Sequence, residues 1–145
     1  MGECLGLLLT EPPRINALSE LRSDMRGLVS QWLSSLKMRG VSIRVLETRR
    51  TRDRQEWLYA QGRTRSGPIV THVSGSSALA RHVAEPGMAT ALDFCFAGAQ
   101  PWVGPWDLCG STWEHVGGSR ATWGGRWRVR DLGHIELNDQ HEIAA

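Results

Sequence analysis

His82, Asp93, Asp131 and His134 are the residues of this 145-residue chain whose types and spacing suit metal-assisted hydrolysis. Two neutral imidazoles and a carboxylate make a zinc-type donor set, and three protein ligands leave the fourth tetrahedral position open to water. An open position suits catalysis rather than scaffolding. Zinc lowers the pKa of such a water to about 7 and polarises a carbonyl, while a nearby carboxylate takes the proton. Asp131, in Asp131-Leu132-Gly133-His134, offers that carboxylate beside a ligand. Spacing alone does not single out these residues among 5 histidines and 15 acidic residues. Isolated His and Asp are more often solvated or hydrogen-bonded.

The flanking residues carry more information. Around the first pair the chain reads Ala80-Arg81-His82, Gly87 and Ala91-Leu92-Asp93-Phe94; around the second, Trp123-Gly124-Gly125-Arg126-Trp127 and Asp131-Leu132-Gly133-His134-Ile135-Glu136. Upstream lie Arg50-Thr51, Arg54-Gln55, Leu58-Tyr59, Gly62-Arg63-Thr64, Gly67 and Val70-Thr71. These blocks, in this order, resemble the zinc peptidases that cut peptidoglycan stem peptides: VanY-type D-alanyl-D-alanine carboxypeptidases and L-alanyl-D-glutamate endopeptidases of bacteria and phages. The resemblance spans about residues 20 to 138. Two departures stand out: the family's Ser two residues before the first His is Ala80, and Val83 to Pro86 are added before Gly87.

The resemblance implies zinc held by His82, Asp93 and His134, with Asp131 as the base that activates water and then protonates the leaving amine. Glu136 is the rival base, its other role being to orient His134 from behind. Arg50 is expected to stabilise the oxyanion or grip a substrate carboxylate, the competing role being a structural ion-pair partner. Gln55 and Thr71 are expected to line the cleft. Trp123 and Trp127, flanking two glycines, either wall that cleft or belong to the core. Imidazole ligands further imply that activity falls below a pH of about 6.5, where protons compete with zinc. His72, His115 and His141 receive no role.

Positioning these residues falls to a few elements. Leu21, Met25, Leu28, Val29, Trp32, Leu33 and Leu36 recur at helical spacing and predict a core helix from about Ser19, its N-cap, to Leu36, with Gly40 at its end. Residues 41–46 alternate as a strand that delivers Arg50. A short helix follows over 53–61, then a loop from Gly62 to Pro86 that ends at a ligand. Residues 89–96 read as a strand with Leu92, Phe94 and Phe96 toward the core and Ala91, Asp93 and Cys95 toward the site. Residues 101–110 read as loop, 111–121 as a weak helix interrupted by Gly117 and Gly118, and 134–137 as a strand. The fold implied by the resemblance is α+β, a small antiparallel sheet with helices on one side and the metal cleft on the other, as in D-alanyl-D-alanine peptidases and the Hedgehog signalling domain.

Length suits a single catalytic domain over residues 1–145. The net charge of +2 gives no argument for nucleic acid. The crowding of Arg49, Arg50, Arg52 and Arg54 reads as a solvated helix start or as a surface for anionic wall polymer. Cys4 to Leu9 is too short an apolar run for a membrane anchor and lacks the basic start of a secretory signal. The expectation is synthesis in the cytoplasm and action on the wall after release, as for phage lytic or virion-borne enzymes. Cys4, Cys95 and Cys109 suggest no disulfide framework, although Cys95 would share a face with Asp93. The expected partner is the peptidoglycan stem peptide, and the expected state a monomer. Between the two bonds, Asp-x-x-His and the short chain favour L-alanyl-D-glutamate endopeptidase; D-alanyl-D-alanine carboxypeptidase and a non-catalytic virion or binding protein are the alternatives.

Overall fold

The computed structural model of the chain describes residues 10–77 and 80–138. Cys4, the apolar run to Leu9, and His141 lie outside the described residues. Helix α1 spans Ser23–Met38 and buries Met25, Val29, Trp32 and Leu36 along one stripe. It starts later than expected, because Ser19 lies in a 3-10 turn, Leu18–Glu20, and caps nothing. The residues after that turn have already committed their backbone: Ala89 donates to Glu20 and accepts from Arg22 at 3.0 and 2.8 Å. A helix can begin only beyond them. Gly40, at φ +78°, ends it as anticipated, and Val41 donates back to Leu36.

That cap holds Val41, so strand β1 runs over Ile43–Glu47 and not from residue 41. Helix α2, Arg52–Ala60, is capped by the Thr51 hydroxyl, which accepts from the Arg54 amide. The stretch from Gly62 to Pro86 forms no helix or strand among its described residues. Strand β2, Ala91–Phe96, follows, then helix α3, Trp106–Gly117. Here the sequence reading needs correction, since half of the expected 101–110 loop is helix. Pro105 stands at the N-cap, and Trp106, Cys109, Gly110 and Trp113 recur at helical spacing with the last three buried. Gly117 and Gly118 terminate α3 instead of interrupting it. Strands β3, Ala121–Trp123, and β4, His134–Leu137, complete the architecture.

The four strands form an antiparallel sheet in the order β1-β2-β4-β3. Alternation along β2 and β4 sends Leu92, Phe94, Phe96, Ile135 and Leu137 into one core with α1 and α3. Trp32 sits at the centre of that core, edge-on to Phe94 and Trp113, and its indole N–H donates to the Cys109 carbonyl at 2.9 Å. The same alternation turns Asp93, His134 and Glu136 to the opposite face, where they line an open cavity. Asp93 pairs with His134 across the sheet, so the register alone places two of the candidate ligands side by side.

Candidate active site

His82 comes to the site from the long loop, whose end is pinned to β1. The Arg50 amide donates to the His82 carbonyl at 2.7 Å, and the His82 ring places Nδ1 2.6 Å from the Thr48 carbonyl. A carbonyl only accepts, so Nδ1 carries a proton, and Nε2 is the nitrogen that faces Asp93, 3.2 Å from Oδ1. His134 is fixed in the opposite sense: Nε2 lies 2.8 Å from Glu136 Oε1, and Nδ1 lies 2.9 Å from the same Asp93 oxygen. Each imidazole is thus held from behind, with its other nitrogen aimed at a common point. One donor atom from each of His82, Asp93 and His134 lies within 4.8 Å of the others.

Such a set fits a zinc ion. Tetrahedral coordination at about 2.0–2.2 Å puts N and O donors roughly 3.3–3.6 Å apart, and the Asp93 contacts to the two rings, at 3.2 and 2.9 Å, lie just inside that spacing. Backing of ligand imidazoles by a carbonyl and a carboxylate is the arrangement that sets tautomer and basicity in metal sites. Charge balance among the three side chains follows from the same contacts. Burial acts to raise the Asp93 pKa, but the two histidines outweigh it and hold the carboxylate well below the usual range. Burial acts to lower that of His134, and Asp93 and Glu136 overcome it, pushing the imidazolium up to about 10. Cys95 is buried on the Asp93 side of β2 but is not part of the gathered set.

Asp131 lies on the wall of the cavity that the triad floors. A tight turn puts it there, with its amide donating to Gly124 at 2.9 Å and its carbonyl accepting from His134 at 3.3 Å. Solvent reaches the residue, yet crowding in the cleft and the Asp93 charge push its carboxyl pKa up. Glu136 lines the cavity too, with one oxygen on His134 and the other 3.8 Å from Arg81 Nε.

Arg50 also faces the cavity, but its Nη2 lies 2.9 Å from Asp93 Oδ2 and 3.0 Å from Glu47 Oε1, and its Nη1 donates to Gln55 at 3.0 Å. Gln55 is buried behind Arg50, outside the cavity lining, and its amide donates to the Val73 carbonyl. Thr71 lines the cavity with Val70 and Val73. The two tryptophans part company: Trp123 is buried in the core, its indole N–H donating to Leu132, while Trp127 forms the cavity wall with its ring 4.9 Å from that of His134.

The arginine cluster fits neither expectation. Arg49 pairs with Glu20 at 2.6 Å, Arg50 with Glu47 and Asp93, and Arg54 is buried against Glu47 and Glu11, so carboxylates from neighbouring segments take up three of the four charges. Sequence reasoning assigned nothing to Thr48, Glu47, Arg81 or Val73. Arg81 had a signal in its adjacency to His82; the Thr48 carbonyl had none, because main-chain acceptors are invisible in side-chain patterns.

No protein-family model matches the chain. The chain is similar to the peptidoglycan L-alanyl-D-glutamate endopeptidase CwlK of Bacillus subtilis, at 29% identity, with 92% of this chain and 87% of the relative covered. Its fold is that of the solved L-Ala D-Glu endopeptidase ChiX of Serratia marcescens, with a TM-score of 0.57 at 20% identity, covering 92% of this chain and 95% of that one.

Proposed function

We propose, from the premise that the chain belongs with the VanY-like peptidoglycan peptidases, that it is a zinc-dependent hydrolase cutting the L-alanyl-D-glutamate bond of peptidoglycan stem peptides. The observation that carries this reading is the meeting of His82, Asp93 and His134 on the floor of a cavity whose wall holds Asp131. CwlK, similar over nearly the whole length of this chain, is named for that bond. Bound by these three residues, zinc would supply Lewis acidity toward the scissile carbonyl and lower the pKa of the attacking water to about 7.

The chain's own residues do the rest. Asp131 takes the proton of the attacking water and returns it to the leaving D-glutamyl amine, since its carboxylate lines the same cavity as the triad. Glu136, with one oxygen engaged by His134, serves as that ring's orienting partner. Trp127 and Val70 give the peptide apolar surface to lie against, and Arg81 offers a cation near the triad. No helix among the described residues is long and apolar enough to cross a membrane. We place the reaction on the cell wall, with the enzyme acting as a monomer released from the cell that makes it.

Mass spectrometry of muropeptides released from purified sacculi, with and without a chelator, tests this. New N-terminal D-glutamyl peptides that vanish with chelator and return with zinc are expected. Loss of terminal D-alanine alone would assign the carboxypeptidase reaction instead, and no new product would leave a non-catalytic scaffold.

A further inference from the structure

We infer that Glu47 is a positioning residue for Asp93, acting through Arg50, an inference that rests on reading Asp93 as a metal ligand. Glu47 and Arg54 are among the most deeply buried charges of the protein, 3% and 1% exposed, and they pair directly with each other. Burying an ion pair in a small domain is costly, and an apolar pair of the same volume often serves the fold as well or better. Geometry supplies a reason to keep it. β1 has a register irregularity between Val45 and Glu47, after which Glu47 stands directly opposite Asp93. Irregularities of this kind re-aim side chains beside active sites.

Two carboxylates facing each other across a strand pair repel, and a single nitrogen, Arg50 Nη2, bridges them at 3.0 and 2.9 Å. The far oxygen of Glu47 is taken by Arg54 Nε, while Arg54 Nη1 is anchored by Glu11 and the Pro12 carbonyl, each at 3.0 Å. Arg50 Nη1 is fixed by Gln55, itself tied to Val73. The guanidinium is thereby held against Asp93 Oδ2, leaving Oδ1 as the oxygen turned to His82 and His134. Glu47 therefore makes Asp93 a one-oxygen donor. Without it, Arg50 keeps only the Gln55 anchor on Nη1, its hold on Asp93 Oδ2 slackens, and Asp93 is free to rotate and present both oxygens.

Three proteins test this: wild type, Glu47→Gln, and Glu47→Gln with Arg54→Met, which removes the buried charges together. Zinc affinity is measured by competition with a chromophoric chelator, cobalt(II) coordination by its visible absorption, and folding by near-ultraviolet circular dichroism. Folded variants with zinc affinity lowered by about 10- to 100-fold, and with a weaker, shifted cobalt band reporting added coordination, are expected. A folded variant matching the wild type in both readouts overturns the inference. So does failure of both variants to fold, which would make Glu47 a folding residue. A wild-type protein that takes up no zinc would instead sink the ligand assignment itself.

Discussion

Each proposed ligand is defined as much by what holds its back as by what faces the cavity. Asp131 has no such tie to the triad beyond the turn that carries it, so Asp131→Ala should leave zinc stoichiometry intact while lowering turnover by about 10²- to 10⁴-fold; loss of zinc, or survival of activity, would contradict its role as base. His134 makes a second prediction. Its imidazolium, held to about 10 by Asp93 and Glu136, must give up a proton for metal to bind. Calorimetry at pH 7.5 in buffers of different ionisation enthalpy should show about one proton released per zinc, and none released would refute the charge assignment. The sign for stability follows. A raised histidine pKa stabilises the metal-free fold fully below its unfolded value of about 6.5, and that contribution is lost as pH rises toward about 10. The melting temperature of chelated protein should fall across that window, and less so in Glu136→Gln. Side-chain identity made the three proposed ligands and the proposed base, Asp131, visible in the sequence. Their backing was not, because Thr48 contributes a carbonyl and Glu47 acts through two other residues.

At the scale of elements, hydrophobic periodicity located most of the framework, since α1, β2 and β4 each turn one row of apolar side chains into the core. It misplaced boundaries where long-range backbone pairing decided them, as at Glu20 to Arg22 against Ala89. It also missed the first turn of α3, where proline and two tryptophans resemble a loop, although Trp106, Gly110 and Trp113 keep helical phase. Gly110 shows why composition misled: its position is set by contact, because a Cβ there would drive into the Trp123 indole. Gly110→Ala should therefore destabilise the protein by about 1–3 kcal/mol through overpacking, despite the better helix propensity of alanine. Chemical denaturation measures it, and an unchanged or raised midpoint would mean that α3 and β3 are not packed this closely.

Across the whole molecule, one sheet separates two tasks: the helix-covered face supplies the core, and the open face supplies the site. Because Asp93 and His134 are cross-strand neighbours within that sheet, metal binding and folding are linked. Zinc at a hundredfold excess over its Kd should stabilise the fold by about 2.7 kcal/mol, read as a rise in melting temperature that a chelator reverses. His82→Ala should abolish most of that rise.

The central claim concerns a single point in space, and anomalous diffraction at the zinc edge from a zinc-soaked crystal tests it most directly. The account predicts one strong peak within about 2.0–2.2 Å of His82 Nε2, Asp93 Oδ1 and His134 Nδ1, with Arg50 still on Asp93 Oδ2 and one coordination position facing the cavity. A fully occupied zinc elsewhere, or none at the triad at saturating concentration, would contradict it.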